Sequence, residues 1–258
     1  MKRAARLHAI LDLLASSGEV TVDELVDQLG ASAATTRRDL DTLAEQRLLT
    51  RTHGGAVAQT VAYELPIRYK SHLRAHEKVE IAQVAAALVT PGMVVGLSGG
   101  TTTTAIAAAL AARDDIAANG GITVVTNAVN IAAQLATRPD IKVVVTGGVI
   151  HSRSYELVGP FAEQLLRGVR LDIAFIGVNG MDAHAGATTQ DEREAAVNRM
   201  MAERARRAVV VTDSSKLGIE AFTSVGGVEF FASVITDAGA KAETLDALRT
   251  AGYEVLVA

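Results

Sequence analysis

A run of small and hydroxyl-bearing residues, Ser98 to Thr104, follows a short apolar segment at residues 93–97 and precedes an alanine-rich helical pattern at residues 105–112. Glycines let backbone N–H groups approach an anion, and a helix N-terminus adds the positive end of its dipole. The run therefore predicts an anion-binding loop between a strand and a helix. Its expected ligand contacts are Ser98, Gly99, Gly100, Thr101, Thr102 and Thr103.

Polar residues also follow other apolar segments of the chain. Those expected to join the loop are Asn127, Gly147, Gly148, Asn179 and Lys216. Because ligands bind at the carboxyl ends of parallel strands, we expect these residues to line one cleft. Lys216 brings a formal positive charge to that cleft. The combination predicts that it binds a phosphate with hydroxyls attached.

The same loop admits a second interpretation as the nucleophile elbow of a serine hydrolase. Residues 96–100 have the required G-x-S-x-G spacing, and the setting between a strand and a helix fits. Ser98 would then need Asp172 and His184 to complete a triad. Many residues with strand and helix patterns follow His184, however, and the threonines after the glycines suit phosphate binding better than acyl transfer. A hydrolase using Ser98 remains the lesser alternative.

Few other motifs for catalysis or metal binding are present. The chain has no cysteine, which excludes disulfides, thiolate metal sites and cysteine nucleophiles. His72 and His76 have the four-residue spacing of a helical metal pair, but without a third ligand nearby we interpret them as surface residues. Walker A, G-x-G-x-x-G and H-E-x-x-H motifs are absent from the sequence. We therefore expect no catalytic residues, no metal and no cofactor.

A second group of polar residues, near the amino terminus, has the types and spacing of a DNA-reading helix. Side chains at the start of a recognition helix reach base edges in the major groove, whereas hydroxyls and basic groups hold phosphates. Two further residues of the group lie on a hairpin and would contact the DNA backbone. The expected contacts are Ser32, Thr35, Thr36, Arg37, Arg38, Arg51 and His53.

Charge alone leaves DNA binding open. Residues 1–56 hold seven Lys and Arg against eight Asp and Glu. The face expected to be exposed carries Asp39 and Asp41 beside Arg37 and Arg38, so it also has the composition of a solvated helix surface. The whole chain has a net charge of −4, which excludes a general polycation and requires any nucleic-acid contact to be local.

Three helical patterns position the DNA-reading residues. The first spans residues 3–17, the second begins at Thr21 with a capping box to Glu24, and the third begins after Ser32 and ends near Gln46. Two short helices joined by a tight turn form a helix-turn-helix, here from Val20 to Asp39. Residues 48–57 predict a small hairpin, or wing. We place this domain at residues 1–57 and a linker at 58–76.

From residue 77 the pattern changes to helices alternating with short apolar, β-branched segments. The seven expected strands are residues 93–98, 122–126, 143–146, 173–177, 208–212, 234–236 and 253–257. Such alternation predicts an α/β domain with a mainly parallel, doubly wound sheet at residues 77–258.

Composition agrees with a packed protein of this kind. Of 258 residues, 49% are hydrophobic but only 3% are aromatic, so Ala, Val, Leu and Ile must fill the core. That apolar content excludes a disordered chain. Apolar runs are too short for a membrane helix, and the basic start leads into an amphipathic segment rather than a signal peptide. We expect a cytoplasmic protein without membrane contact.

The amino-terminal motifs resemble those of the DeoR family of bacterial transcription regulators. The family pattern has a Ser, then Thr-Ile-Arg-Arg-Asp-Leu, then Arg-x-His-Gly-Gly-Ala. Residues 32–40 and 51–56 match it, except that Thr36 replaces the isoleucine. The resemblance continues through nearly the whole chain. It implies a sugar-responsive repressor of a carbohydrate-utilisation operon that binds double-stranded operator DNA. Because one helix-turn-helix makes few base contacts and operators usually mirror protein symmetry, we expect a homodimer or homotetramer.

The carboxyl-terminal motifs resemble the family's sensor domain, whose fold is similar to that of ribose-5-phosphate isomerase and CoA-transferases. The resemblance implies a phosphorylated sugar effector, with amino-sugar and hexitol regulators the most similar members. Many members carry an Asp before the Ser-Gly-Thr-Thr loop, whereas Leu97 and Ser98 stand here. We therefore expect the loop to lack a carboxylate for sugar hydroxyls. An isomerase-like sugar-phosphate enzyme remains an alternative.

Overall fold

The structure is a computed structural model that describes residues 1–46, 48–58, 67–70 and 73–258. The chain forms two compact units, Met1–Leu73 and Arg74–Ala258. The boundary between them falls inside the segment that the sequence predicts as a linker. Residues 59–66 and 71–72 of that linker, with His72 among them, lie outside the described residues.

The first unit contains the three predicted helices. Thr21 forms the predicted capping box, in which its backbone N–H donates to Glu24 Oε2 at 2.8 Å and its hydroxyl accepts from the Glu24 backbone N–H at 3.2 Å. Ser32 caps the third helix, since its Oγ accepts from the Thr35 backbone N–H at 3.3 Å. The helices are α1 (Arg3–Ser17), α2 (Val22–Leu29), α3 (Ala33–Glu45) and a short α4 (Ile67–Lys70).

A small sheet completes the first unit. It contains β1 (Glu19–Thr21), β2 (Thr50–Arg51) and β3 (Gly55–Val57), in the order β1-β3-β2. The antiparallel pair β2–β3 confirms the predicted wing. Strand β1 was not predicted from the sequence, because three residues between two helices are too few to show a strand pattern. A side chain at Gly55 would collide with the Val20 carbonyl, so this close pairing requires glycine.

The second unit is built on one seven-stranded parallel sheet. Its strands run in the order β15-β14-β12-β9-β4-β5-β6, and every neighbouring pair is parallel. All seven strands coincide with the seven apolar segments predicted from sequence. They are β4 (Val94–Leu97), β5 (Ile122–Thr126), β6 (Ile141–Val145), β9 (Leu171–Gly177), β12 (Ala205–Val211), β14 (Ser233–Thr236) and β15 (Glu254–Val257).

Helices cover both faces of this sheet, as the doubly wound prediction requires. On one face Ile81, Ile106 and Ile131 pack on strand residues such as Phe175, and on the other face Met201 is part of the core. The first face carries α5 (Ala75–Ala87), α6 (Thr101–Ala111), α7 (Asp114–Ala118) and α8 (Val129–Leu135), and the second carries α9 (Pro160–Arg167), α10 (Glu192–Glu203) and α11 (Ala242–Thr250).

Two small antiparallel sheets lie outside the central one, and the sequence analysis predicted neither. One is the hairpin of β7 (Val149–His151) and β8 (Glu156–Val158). The other contains β10 (Gly180–Asp182), β11 (Gly186–Thr189) and β13 (Thr223–Gly226). Their strands have three or four residues each, which is too short for a clear alternating pattern.

The strand order identifies a topological switch point between β4 and β9. From β4 the chain continues to β5 and β6 on one side, whereas β9 is hydrogen-bonded to the other side of β4. The direction of winding therefore reverses between β4 and β9, and open α/β sheets bind ligands at such a point.

No helix among the described residues is long and apolar enough to cross a membrane.

Candidate functional site

The N-terminal part of α3 presents two arginines on its surface. Arg37 and Arg38 are exposed, and neither guanidinium group has a hydrogen-bond partner among the residues that the structure describes. Thr35 is half-buried, and its hydroxyl lies 2.9 Å from Ser32 Oγ. Thr36 is only 1% exposed, so its side chain packs inward and does not belong to this surface. The exposed arginines lie where a recognition helix would read base edges.

Asp39 corrects the expectation that it lies on the exposed face of α3. Its side chain is 3% exposed, and Oδ2 accepts a hydrogen bond from Arg6 Nε on α1 at 2.5 Å. Arg3 Nε lies 3.8 Å from the other carboxylate oxygen. Asp39 therefore joins α3 to α1 instead of adding negative charge to the arginine surface.

The wing residues have different environments. Arg51 Nε donates to Asp41 Oδ1 at 2.9 Å, and Arg51 Nη1 donates to the Gly55 carbonyl at 2.6 Å. These bonds fix the wing against α3 and partly neutralise Asp41. His53 is exposed at the turn of the hairpin. His53 is thus presented for an outside contact, whereas Arg51 also supports the wing.

The predicted anion loop leads directly into α6. Gly100 has φ of 122°, a conformation that favours glycine, and its carbonyl accepts hydrogen bonds from Thr103 Oγ1 at 3.0 Å and Thr104 Oγ1 at 2.6 Å. These hydroxyls are therefore engaged in shaping the loop. The first backbone N–H groups of a helix have no partner within the helix, which is the general basis for anion binding at such a position.

Ser98 closes the crevice between β4 and β9. It is fully buried, its Oγ accepts from the Gly177 backbone N–H at 2.9 Å, and its hydroxyl lies 3.2 Å from the Gly99 carbonyl. Asp172 Oδ2 instead accepts from the Val94 backbone N–H, at the opposite end of these strands. The serine, aspartate and histidine of the hydrolase alternative are therefore not assembled, and Ser98 positions two strand ends.

Glu156 is a site residue that the sequence analysis missed. It is 5% exposed, it comes from β8, and Oε2 accepts from Asn127 Nδ2 at 3.0 Å. A side chain at Gly99 would collide with the Glu156 carboxyl group, so only glycine leaves room for it there. The loop itself carries no carboxylate, but the hairpin of β7 and β8 brings one against it from elsewhere in the chain. The signal was a charged residue within a short apolar stretch, far along the chain from the loop.

Two lysines supply positive charge at the end of β12. Lys216 Nζ donates to the Val178 carbonyl, just after β9, at 2.8 Å. Burial and, after it, the neighbouring Lys216 lower the pKa of Lys78 to about 8, although Asp213 acts in the opposite direction. Burial also lowers the pKa of Lys216, again opposed by Asp213. Lys216 was predicted from the sequence, whereas Lys78, which comes from α5, was not.

Asp213 and Arg74 complete this group of charges. Burial alone would raise the pKa of Asp213, but Lys216, Ser215 and Lys78 together lower it, so the carboxylate stays ionised. Arg74 Nε lies 3.7 Å from Asp213 Oδ1. Arg74 Nη1 also lies 3.6 Å from Glu77 Oε1, so three cationic side chains face two carboxylates, and the group carries a small excess of positive charge when both lysines are protonated. Such a group suits an anionic ligand.

The other predicted contacts are more dispersed. Asn179 Oδ1 accepts from Thr189 Oγ1 at 2.6 Å and from the Gln190 backbone N–H at 3.2 Å, so its side chain ties the end of β9 to β11. Gly147 and Gly148 have φ of 72° and 126° and form the turn after β6. They lie at the edge of the sheet, two strands from β4.

No group of side chains that could hold a metal ion occurs within the described ranges.

Comparison with known proteins agrees with this division of the chain. Residues 6–61 match the DeoR-like helix-turn-helix domain, and residues 73–238 match the DeoR C terminal sensor domain. The chain belongs to the DeoR family. It is 34% identical to a putative aga operon transcriptional repressor of Escherichia coli O157:H7, over 98% of this chain and 93% of that protein. It is also 35% identical to the transcriptional regulator GlpR of Haloferax volcanii, over 99% and 98%.

Membership of the DeoR family confirms the resemblance identified from the motifs. The protein is a DNA-binding transcription regulator with a sensor domain, and it is not an enzyme. A further relative, the glycerol-3-phosphate regulon repressor of Escherichia coli K12, is 31% identical over 92% of both chains. The isomerase-like and hydrolase alternatives are not supported.

Solved structures give weaker likenesses. Ribose 5-phosphate isomerase A of Methanocaldococcus jannaschii matches 54% of this chain and 52% of its own, with 21% identity and a TM-score of 0.40. The full-length sorbitol operon regulator SorC of Klebsiella pneumoniae matches 96% and 99%, with 12% identity and a TM-score of 0.43. Scores this low support no assignment of a ligand or an activity.

Proposed function

We propose that this DeoR-family regulator represses a carbohydrate-utilisation operon and that a phosphorylated sugar, bound in the second unit, alters its affinity for operator DNA. The observation that carries the proposal is the anion loop at the N-terminus of α6, together with Lys78 and Lys216, in a sheet crevice without a catalytic triad. The names of relatives support the physiological setting, since they include an aga operon repressor and a glycerol-3-phosphate regulon repressor.

The DNA contacts come from the first unit. Arg37 and Arg38 read bases or hold phosphates from the exposed face of α3, while His53 contacts the backbone from the wing. Thr35 and Ser32 lie at the helix N-terminus, where backbone N–H groups can hold a phosphate. Thr36 and Arg51 contribute by positioning α3 and the wing, because their side chains are engaged within the unit.

The effector contacts come from the second unit. The backbone of Gly99 to Thr103 and the lysine pair hold the phosphate, and Asn127 contacts the sugar. Ser98 and Asn179 position the strand ends through their internal hydrogen bonds. Gly147 and Gly148 border the site beyond β5.

We also propose that the regulator is a cytoplasmic homodimer or homotetramer. Operators commonly mirror a two-fold symmetric protein, because one helix-turn-helix alone makes few base contacts. Three apolar side chains around β7 and the start of α9 are 52–67% exposed and supply a surface for contact between copies: Val149, Ile150 and Phe161. Sedimentation of the wild type and of Phe161→Glu tests this, because the substitution should lower the mass of the assembly.

A gel-shift assay tests the regulatory function. Wild-type protein should retard the DNA upstream of its own gene, and Arg37→Ala should weaken binding by about 1–3 kcal/mol if Arg37 reads a base. Arg206→Ala, which removes an 83% exposed arginine from the second unit, is the charge-matched control. A panel of sugar phosphates is then titrated into the complex. Unchanged binding by Arg37→Ala would exclude α3 from the groove, and a complete lack of response to the panel would exclude the proposed effector class.

A further inference from the structure

The carboxylate of Glu156 lies against the anion loop, at a position that a purely anionic ligand does not explain. Its carboxyl group occupies the space beside Gly99 in which any other residue would carry its side chain. It is 5% exposed. A buried carboxylate next to a phosphate-binding loop repels the phosphate itself, so it must serve another part of the ligand or of the protein.

The backbone around Glu156 is built to hold that carboxylate in place. The Val129 N–H donates to the Tyr155 carbonyl at 3.0 Å, and the Leu157 N–H donates to the Asn127 carbonyl at 2.6 Å, so the hairpin is joined to the end of β5 on both sides of Glu156. Tyr155 has φ of 61°, a conformation that costs energy for a residue other than glycine. Strain of this kind persists where the surrounding structure enforces it, often at binding sites.

The other end of the hairpin is fixed to α10. Ser154 Oγ donates to Glu194 Oε1 at 2.5 Å, and His151 Nδ1 lies 2.7 Å from the same oxygen. Ser154 Oγ also accepts from the Glu156 backbone N–H at 3.3 Å. Bonds to β5 and to α10 therefore position the carboxylate before any ligand arrives, which is the property of a specificity-determining group.

Charges divide the site into two chemically different parts. Lys78 and Lys216 come from α5 and the end of β12, on the β9 side of β4, whereas Glu156 and Asn127 lie on the β5 side. The N-terminus of α6 follows β4 and lies between them in the sheet order. A ligand that spans this arrangement carries an anion at one end and a hydrogen-bond donor at the other. Among donors, a cation gains most from a desolvated carboxylate.

We propose that Glu156 recognises a positively charged amine on the sugar part of the effector, and that the site therefore prefers an amino-sugar phosphate to the corresponding neutral sugar phosphate. This inference rests on the proposed sugar-phosphate effector. A hydroxyl in place of the amine still donates a hydrogen bond to Glu156. It lacks the charge, so it binds about tenfold more weakly, in line with the roughly doubled strength of charge-assisted hydrogen bonds.

Isothermal titration calorimetry of the full chain tests the proposal with matched pairs of ligands. The probes are glucosamine 6-phosphate against glucose 6-phosphate, galactosamine 6-phosphate against galactose 6-phosphate, and inorganic phosphate as the anion alone. The variants are Glu156→Gln, which keeps the size and removes the charge, and Glu192→Gln, which removes an exposed charge from α10. Circular dichroism confirms that each variant is folded.

The wild type and Glu192→Gln should bind at least one amino-sugar phosphate about tenfold more tightly than its neutral partner. Glu156→Gln should bind both members of the pair equally, and it should bind inorganic phosphate at least as tightly as the wild type does, because the carboxylate that repels the anion is gone. If the wild type binds neutral sugar phosphates without preferring the amine, or if Glu156→Gln keeps the preference, the role of Glu156 is wrong while the effector class stands. If no sugar phosphate binds, both are wrong.

Discussion

Ser98 Oγ and the Gly177 backbone N–H form a 2.9 Å hydrogen bond that links the ends of β4 and β9, where the sheet reverses its direction of winding. A nucleophilic serine needs a base within hydrogen-bonding distance, whereas this hydroxyl is buried among backbone groups. A sequence with hydrolase spacing therefore folds so that its serine has a structural partner in place of a catalytic base. It makes Ser98 a residue that sets the width of the crevice.

Ser98→Ala should consequently destabilise the second unit without removing an enzymatic activity. Loss of the acceptor leaves the Gly177 N–H without its partner, which costs about 1–3 kcal/mol. Thermal unfolding measures the loss, with Ser152→Ala as a control because Ser152 is exposed. A serine-directed phosphonate should not label the wild-type protein. Covalent labelling of Ser98 would show that the hydrolase interpretation was right.

The ion pair of Arg6 with Asp39 leads to a prediction about the first unit. Asp39→Asn keeps the size of the side chain but removes the charge that faces Arg6 in a buried position, and unpaired buried charges destabilise proteins strongly. We expect a lower melting temperature for the unit that binds DNA. Each 1 kcal/mol lost lowers the melting temperature of a domain of this size by about 4–8 °C.

Asp41→Asn is the matched control for Asp39→Asn. Asp41 lies on the same helix and also contacts an arginine, but its side chain is 59% exposed. Exposed ion pairs contribute little to stability, so this variant should melt close to the wild type. Equal melting temperatures for the two variants would show that the contact between α1 and α3 does not depend on the Asp39 charge.

Local patterns in the sequence were sufficient to predict the secondary structure that positions the site. All seven strands of the central sheet and the three helices of the first unit are encoded by runs of apolar residues and by caps such as Thr21 and Ser32. The loop before α6 was predicted for the same reason, since its glycines and threonines are adjacent in sequence. Features of this kind depend only on neighbouring residues.

The residues that were missed or misplaced depend on contacts between distant parts of the chain. Asp39 is buried because α1 brings Arg6 to it, 33 residues away in sequence. Glu156 reaches the loop through a hairpin whose strands are too short to predict, and Lys78 reaches the site from α5. Periodicity does not record which helix face meets which strand end. These three contacts therefore required the structure.

The lowered pKa of Lys78 predicts that anion binding weakens as pH rises through about 8. Protonated Lys78 attracts a phosphate dianion and neutral Lys78 does not, so affinity for inorganic phosphate should fall between pH 7 and pH 9. Calorimetry over that range measures it. Lys78→Met should bind more weakly at pH 7 and show a flatter profile. An unchanged profile in the variant would mean that Lys78 does not face the anion.

The same pKa shift has a defined sign for stability without ligand. The folded protein releases the Lys78 proton near pH 8, whereas the unfolded chain keeps it up to the ordinary pKa of 10.5. Between these values the unfolded state binds more protons, so this group makes the free energy of unfolding rise with pH. Urea unfolding of both proteins measures the effect: the free energy of unfolding of the wild type, minus that of Lys78→Met, should rise with pH over this range. A difference that stays flat or falls would place Lys78 in water rather than in a buried site.

Lys216 predicts how the two functions of the chain can be separated. Its ammonium group links the end of β12 to the end of β9 through the Val178 carbonyl, and it belongs to the second unit, whereas the DNA-reading residues belong to the first. A ligand changes DNA affinity only if it binds one state of the protein more tightly than another. Lys216→Ala should therefore bind operator DNA like the wild type but fail to respond to a sugar phosphate.

Lys142→Ala, which removes an exposed lysine from β6, is the control for Lys216→Ala and should respond normally. Effector titration into operator complexes of all three proteins gives the comparison. A response of Lys216→Ala at wild-type effector concentrations would make Lys216 a structural residue only. If Lys216→Ala does not bind operator DNA even without effector, Lys216 is needed for the folded state that binds DNA.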